Sequence, residues 1–239
     1  MKLTTITPVY NEEYLLPHFI FNYRYVDKMI FLFDVDTTDN SKYIIEAYCN
    51  KYNIEFEIIE FSFGFDDVEL VFLTNKIMNK TDSDYFICVD ADEFIIADKL
   101  LNIDSFDFCH ALFYQMIPHD SENKDLIIEK PMLQQRNYGY FDSLYVKPCI
   151  VRKQANPIFG VGKHTVQING ITIYPQVYAA FKGMHLNMVN LDFAINRYKE
   201  RCKRISDRNR TLGFGSQYFL YDENVIVEKF NRPCFKCFK

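Results

Sequence analysis

The chain has 239 residues, 49% of them hydrophobic and 25% charged, enough to bury a sizeable core in one large domain. Eight Gly and eight Pro, with no run of Gly, Pro or Ser, leave nothing that reads as a linker, so a single domain over 1–239 is expected. The net charge of -5 and the lack of any recognition-module signature exclude nucleic acid as the expected partner.

Residues 3–9 read as a short buried strand closed by the turn around Pro8. Residues 12–25 carry apolar side chains at helical intervals through Leu15, Leu16, Phe19 and Ile20. A second apolar run at 29–33 is followed by an amphipathic helix at 41–52, starting behind Asp39, Asn40 and Ser41. An alternating third strand at 55–61, a helix at 68–80 and a fully buried strand at 85–89 complete the first half. Strands alternating with helices predict an α/β fold with a mixed, mainly parallel sheet flanked by helices, whose ligands bind at the carboxyl ends of the strands. Those ends carry residues 8–12, 34–39 and 90–93. After about residue 105 the pattern changes to strand-like pieces at 111–117, 144–152 and 171–178 and a basic helix at 191–210.

Seven scattered cysteines, at 49, 88, 109, 149, 202, 234 and 237, are an odd number without the spacing of a secreted disulfide scaffold, so a reducing cytoplasm is the expected location. The first apolar segment is too short for a signal peptide, and no run approaches about 18 apolar residues, so no transmembrane helix is expected. The charge is divided unevenly: residues 1–125 hold 9 Lys and Arg against 24 Asp and Glu, and residues 126–239 hold 18 against 8. An acidic, metal-holding half facing a basic, phosphate-attracting half would give this split, and so would plain attraction between two halves of one domain.

Three segments carry a resemblance. Ile6-Thr7-Pro8-Val9-Tyr10-Asn11-Glu12-Glu13, then Asp36-Thr37-Thr38-Asp39-Asn40-Ser41, then the apolar strand ending in Asp90-Ala91-Asp92-Glu93-Phe94 together resemble the family 2-like GT-A glycosyltransferases, over roughly residues 3–100. Farther on, Lys147 to Arg152, Gly162-Lys163-His164 and His185 before a basic helix look like the second half of bacterial members. The resemblance implies a GT-A, Rossmann-like fold and transfer of a sugar from a nucleoside diphosphate, most often UDP, to a saccharide or lipid-linked acceptor. It divides the chain into a donor and metal half at 1–105 and an acceptor half at 106–239.

The chemistry of the Asp90-Ala91-Asp92 segment is consistent with this. Residues i and i+2 of a strand point to one side, so two carboxylates around one small residue converge at its end, where they suit a hard divalent ion such as Mn2+ or Mg2+. That ion would neutralise the diphosphate as the glycosidic bond breaks. The resemblance assigns Asp90 to the ribose or the metal's water shell and Asp92 to the metal, with Ala91 between them, and a His from the second half to the remaining metal position. His185 ranks first and His164 second, although a lone His is more often simply hydrogen-bonded in place. Glu93 binds a sugar hydroxyl or caps the next segment. Pro8, Tyr10, Asn11 and Glu12 would present the base-binding loop, and Asp36 or Asp39 would contact base or ribose; the alternative is that Tyr10 fills the loop and Asp39 caps the helix at Ser41. Lys163, Arg197, Arg201 and Arg204 are candidate diphosphate partners, against the ordinary reading of a helical charge run as a solvated face. Most relatives invert, which requires a base in the second half. His119, Asp120 and Asp142 are the candidates, with Asp120 first because it follows the apolar run at 111–117.

Two other classes stay open. Phe31-Leu32-Phe33-Asp34-Val35-Asp36-Thr37-Thr38 also fits a haloacid-dehalogenase-like phosphohydrolase, with Asp34 as nucleophile and Asp36 as general acid/base. A non-catalytic nucleotide-sugar-binding protein is the third reading. The terminal Cys234-Phe235-Lys236-Cys237 is a lone pair of metal-ligand type, and the Phe- and Lys-rich tail from 229 to 239 suits either peripheral contact with an anionic membrane or a frayed terminus.

Overall fold

A computed structural model of the chain describes residues 1–96, 106–123, 125–176 and 181–238. The division expected at 105/106, the last two residues of the strand expected at 171–178, and Lys239 of the tail lie outside the described residues.

The first half alternates as the sequence predicts: β1 (Leu3–Val9), α1 (Leu16–Asn22), β2 (Lys28–Asp34), α2 (Ser41–Lys51), β3 (Glu55–Phe61), α3 (Asp67–Lys80) and β4 (Tyr85–Cys88). The four strands pair in parallel in the order β3-β2-β1-β4. Alternate side chains bury on opposite faces, as the pleat requires. Met29, Phe31, Tyr85 and Ile87 pack with Phe19 and Ile20 of α1 and Ile45 of α2, while Ile30, Leu32, Phe86 and Cys88 pack with Val71, Ile77 and Met78 of α3. The first helix is shorter than the expected 12–25. It begins at Leu16 with Pro17 in its first turn, where the missing N–H leaves no helical bond unmade, and residues 10–15 remain a loop above the sheet.

The second half continues the sheet through β5 (Glu93–Ile95), β6 (Phe108–Met116), β7 (Tyr138–Arg152) and β11 (Phe181–His185), in the order β4-β7-β6-β11-β5. Here β7 runs antiparallel to both β4 and β6, β11 parallel to β6, and β5 antiparallel to β11. A separate three-stranded sheet is made by β8 (Ile158–Phe159), β9 (Val166–Ile168) and β10 (Ile171–Ile173). The strand expected at 144–152 therefore starts six residues earlier, and the one expected at 171–178 ends at Ile173.

Two irregularities shape β7. Cys109 pairs with Ile150 and His110 with Pro148, so Cys149 is the extra residue of a bulge, the place in a sheet where Pro is tolerated. Farther along, Leu112 pairs with Val146 and Tyr114 with Phe141, so Phe113 alone faces residues 142–145, which loop out of the ladder. Beyond this bulge Gly139 lies against β6 so closely that an added Cβ would sit 2.3 Å from the Gln115 carbonyl oxygen. Since backbone cannot move aside, Gly139→Ala is expected to lower stability by about 1–3 kcal/mol despite the usual gain of replacing a strand glycine. A urea titration with an unchanged midpoint would contradict it.

The expected helix at 191–210 is broken. After α4 (Leu191–Arg204), Ile205 is extended and Ser206 caps α5 (Asp207–Leu212) by accepting from the Asn209 N–H at 3.1 Å. Two further helices, α6 (Ser216–Phe219) and α7 (Glu223–Phe230), close a small cluster of Met188, Ala194, Tyr198, Tyr218 and Ile226. Asp66 ties this unit to the sheet: its Oδ1 caps α3 through the N–H groups of Val68 and Glu69, and its Oδ2 accepts from the Ser206 hydroxyl at 2.9 Å.

The C-terminal tail is docked rather than frayed. Phe235–Lys236 forms β12 on β7, Phe238 is buried with its ring 5.4 Å from that of Tyr114, and Asn137 accepts the N–H groups of Cys237 and Phe238. Burial pushes the Cys237 thiol up to about 12, which disfavours the thiolate that zinc requires. Of the tail's phenylalanines, Phe238 is buried and withdrawn from any membrane surface, whereas Phe235 is half exposed. No helix among the described residues is long and apolar enough to cross a membrane.

Candidate active site

The carboxyl ends of β1, β2 and β4 lie along one edge of the sheet and, with β7, β11 and α4, line a cleft of about 830 Å³. The β1 loop is fixed by its neighbour. Asn11 adopts a left-handed conformation (φ 49°), one that Asn tolerates, and its side-chain oxygen accepts the Thr38 N–H at 2.8 Å. Ser41 Oγ accepts the Glu12 N–H at 2.9 Å, and Asp39 accepts from the N–H groups of Glu13 and Ser41, both at 2.9 Å. Asp39 thus holds the loop and the start of α2 together, as the capping alternative requires, although it also lines the cleft.

Asp36 is exposed and does not line the cleft. The strand-end carboxylate that does is Asp34, buried and paired with Arg204, whose guanidinium carbon stands 3.2 Å from the centre of the Tyr10 ring. The phosphohydrolase reading needs both carboxylates in one site, whereas here the Asp36 side chain is exposed outside the cleft and only its N–H reaches Asp34 Oδ1, at 3.0 Å.

Asp90 and Asp92 are treated differently by the fold. Asp90 is part exposed; its Oδ1 accepts from Lys163 at 2.6 Å and its Oδ2 faces Lys147 at 3.5 Å. Burial opposes its ionisation, but Lys163 and Lys147 outweigh that and hold the carboxyl below the usual range. Asp92 is not the exposed strand-end carboxylate its position suggests: it is 1% exposed, and its Oδ2 lies 3.0 Å from Arg197 Nη2 and 3.5 Å from His185 Nε2. Here too burial is outweighed, by Arg197 and then His185, and the carboxyl is held well below its ordinary value. Its other oxygen, Oδ1, is buried without a hydrogen-bond partner among the described residues. Ala91 is buried between the two, and Glu93 is fully buried against Lys147 while accepting the Asp90 N–H at 3.0 Å.

The basic half supplies the partners. Lys147 comes from β7 and Lys163 from the turn before β9, where it takes a left-handed conformation (φ 57°). Arg197, Arg201 and Arg204 stand at i, i+4 and i+7 on α4 and so share one face, which looks into the cleft rather than into solvent. Attraction between the two halves is thereby visible in these ion pairs, which also form walls of the cleft.

Glu12 completes the network with Arg197 Nη1 2.5 Å away. Burial dominates its titration, Arg197 opposes and Asp92 adds to it, and its pKa is pushed up to about 7. A carboxyl raised from 4.5 keeps its proton in the native state where the unfolded chain has lost it, so its contribution to stability declines as pH rises from 4.5 to about 7. The Glu12→Gln variant is expected to lose that part of the pH dependence of Tm, leaving the acid-side loss caused by Asp90 and Asp92. An unchanged Tm profile from pH 5 to 8 would assign the slope to another group.

His185 is held in a defined orientation. Gln115 donates its amide N–H groups to the carbonyls of Met116 and His185, at 3.4 and 3.3 Å, so its oxygen is left to accept from His185 Nδ1–H at 2.8 Å. In the neutral ring this leaves Nε2 as a lone pair facing the Asp92 carboxylate, an arrangement that calls for a proton or a cation between them. A ring nitrogen fixed by a second hydrogen bond is the usual state of a metal-binding His. His164 also lines the cleft, but no hydrogen bond joins it to Asp90 or Asp92. Among the described residues no group of three or more His, Cys, Asp or Glu side chains forms a metal cage.

The candidate bases separate in the same way. Asp120 is exposed in the loop beyond β6, and His119 stacks on Tyr138 with ring centres 3.9 Å apart and bonds Ser121; neither lines the cleft. Asp142 does, because the four-residue bulge of β7 carries it there, with Oδ1 accepting the Leu144 N–H at 3.0 Å. Gln115 belongs to the site without having been singled out from sequence, whereas Asp34 lay in the strand-end stretch 34–39 and Lys147 in the segment Lys147 to Arg152, neither with a role in donor binding assigned to it. Gln115 carried no local signal, because its place depends on β11 pairing beside β6, which sets it opposite His185.

No protein-family model matches the chain, and no curated protein sequence is similar to it. Solved structures that resemble it include residues 1–349 of S. aureus TarS in complex with UDP, at 14% identity over 94% of this chain and 73% of that one, with a TM-score of 0.42. Another S. aureus TarS structure gives 16% identity over 96% of this chain and 43% of that one, with a TM-score of 0.45. Mycobacterium tuberculosis glucosyl-3-phosphoglycerate synthase in complex with UDP gives 13% identity, coverage of 68% and 61%, and a TM-score of 0.33.

Proposed function

We propose that the chain is a GT-A glycosyltransferase that moves a sugar from a nucleoside-diphosphate donor, UDP-linked, to a hydroxyl of a saccharide or lipid-linked saccharide acceptor, with inversion. The donor half is 1–105 and the acceptor half 106–239. The observation that carries this reading is Asp92, buried at the end of β4 with one oxygen unpartnered among the described residues and the other 3.5 Å from Nε2 of an oriented His185, beneath a wall of cations. Asp92 and His185 are the side chains that would hold Mn2+ or Mg2+, and with only two protein ligands the donor's phosphate oxygens would complete its shell. Such an ion supplies neutralisation of the charge that builds on the leaving diphosphate.

The chain's own groups do the rest. Tyr10 and Asp34 offer a ring face and a carboxylate to the base and ribose, once Arg204 turns from them toward the phosphates. Lys163, Arg197 and Arg201 add fixed positive charge beside the leaving group. The sugar C1–O bond breaks with its electron pair going to the diphosphate oxygen, the acceptor oxygen forms the new bond to C1 from the opposite face, and its proton passes to the Asp142 carboxylate.

Titration calorimetry with UDP, with and without Mn2+, tests the reading. Binding that Mn2+ strengthens is expected, with His185→Ala losing about tenfold or more of that enhancement and His164→Ala little of it. Absence of UDP binding under both conditions would overturn the assignment, and binding without turnover toward any acceptor would favour a carrier of nucleotide sugars.

A further inference from the structure

Six Lys and Arg side chains line the cleft, and four of them have carboxylate partners: Lys147, Lys163, Arg197 and Arg204. Arg201 bonds the Tyr218 hydroxyl and stands 4.9 Å over that ring. The sixth, Lys229 on α7, has no carboxylate partner among the described residues, although it is half buried. Its ammonium lies 6.0 Å from the centre of the Tyr198 ring, and Tyr198 in turn packs on Tyr218 with ring centres 5.0 Å apart. The tyrosine pair therefore stands between two cations that have no direct ion-pair partner among the described residues. Arg201 feels Asp92, Glu12 and Asp90 and belongs to the donor end, whereas the acid felt by Lys229 is Asp142.

A second cation stands near it. Arg232, exposed and outside the lining of the cleft, follows α7, donates its backbone N–H to the Lys229 carbonyl, and places its guanidinium 5.4 Å over the Tyr140 ring, again without a carboxylate partner among the described residues. Burial first and Arg232 second push the Lys229 ammonium pKa down, so the protein holds this charge against both desolvation and repulsion. The Tyr198 ring compensates the half-buried Lys229 charge weakly, whereas a bound anion would satisfy it and also attract the exposed Arg232 guanidinium.

Resting on the glycosyltransferase reading, we propose that the acceptor carries an anionic group, which Lys229 and Arg232 receive, and that this contact sets the acceptor hydroxyl beside Asp142. The rings of Tyr145 and Tyr198 in the wall of the cleft suit a sugar or polyol body behind that charge. Phosphate and carboxylate share the required chemistry.

The test is a titration of the protein saturated with UDP and Mn2+ by glucose, glucose 6-phosphate and glucuronate, which have the same ring and differ in charge. One or both anionic sugars are expected to bind about tenfold or more tighter than glucose, as for a charge-assisted hydrogen bond. That preference should collapse in the Lys229→Met/Arg232→Gln double variant and survive in Lys229→Arg, and thermal melts confirm that each variant is folded. Equal or undetectable binding of all three sugars, or a preference unchanged in the double variant, would overturn the proposal. A parallel UDP titration of the wild-type protein reports the donor site separately, so a failure there counts against the broader reading and leaves the anion preference to be judged from titrations without nucleotide.

Discussion

Asp92→Asn is expected to lower turnover by about 10²-fold or more and to abolish the effect of Mn2+ on UDP binding, because the substitution removes the charge that a divalent ion would meet while keeping an oxygen for Arg197. The amide is chosen deliberately. Asp92 is buried, and removing its side chain would leave Arg197 and His185 facing an empty space with only Glu12 as counter-charge, a change of the kind that costs about 3–5 kcal/mol. Asp92→Ala is therefore expected to lower Tm as well as activity, and an alanine effect on turnover could not be assigned to chemistry alone. The paired measurement is the Tm and the Mn2+ dependence of UDP binding for the amide. Retained metal response in a well-folded Asp92→Asn protein would remove Asp92 from the site.

The second large effect is at Asp142. Loss of a general base lowers turnover by about 10²- to 10⁴-fold, so Asp142→Asn is expected to fall in that range with donor affinity close to unchanged. Asp120→Asn, in an exposed loop outside the cleft, is expected to turn over normally. Product configuration read by NMR belongs to the same experiment. Retention would defeat the single-displacement step however Asp142→Asn behaves, and normal turnover of Asp142→Asn would place the base elsewhere.

The first hundred residues were legible because their signals are local. Continuous apolar runs in β1, β2 and β4 and the turn residues behind them determine where Tyr10, Asp34 and Asp90 emerge, whatever the rest of the chain does. The acceptor side depends on register instead. Nothing in the sequence around residue 142 says that one residue of β6 will face four of β7, and only that mismatch carries Asp142 into the cleft while Asp120, at what looks like a better strand end, is left in solvent. Burial of Asp92 was similarly illegible, because its partners Arg197 and His185 lie about a hundred residues away. The α4 arginines were ambiguous for a different reason: their spacing gives a common face, but which way that face looks is decided by what α4 packs against.

The bulge of β7 has a consequence for how such a protein changes over time. On one side of residues 142–145 the strand carries Lys147, committed to Asp90 and Glu93; on the other it pairs with β12 through Tyr138 and Gly139. The looped-out residues make no ladder contacts of their own, so lengthening or shortening them would leave both flanking registers in place. Such insertions and deletions would move the acceptor-side carboxylate nearer to or farther from the donor by a residue's reach at a time. Acceptor preference can then drift among descendants of this chain while the machinery that grips the nucleotide is inherited intact.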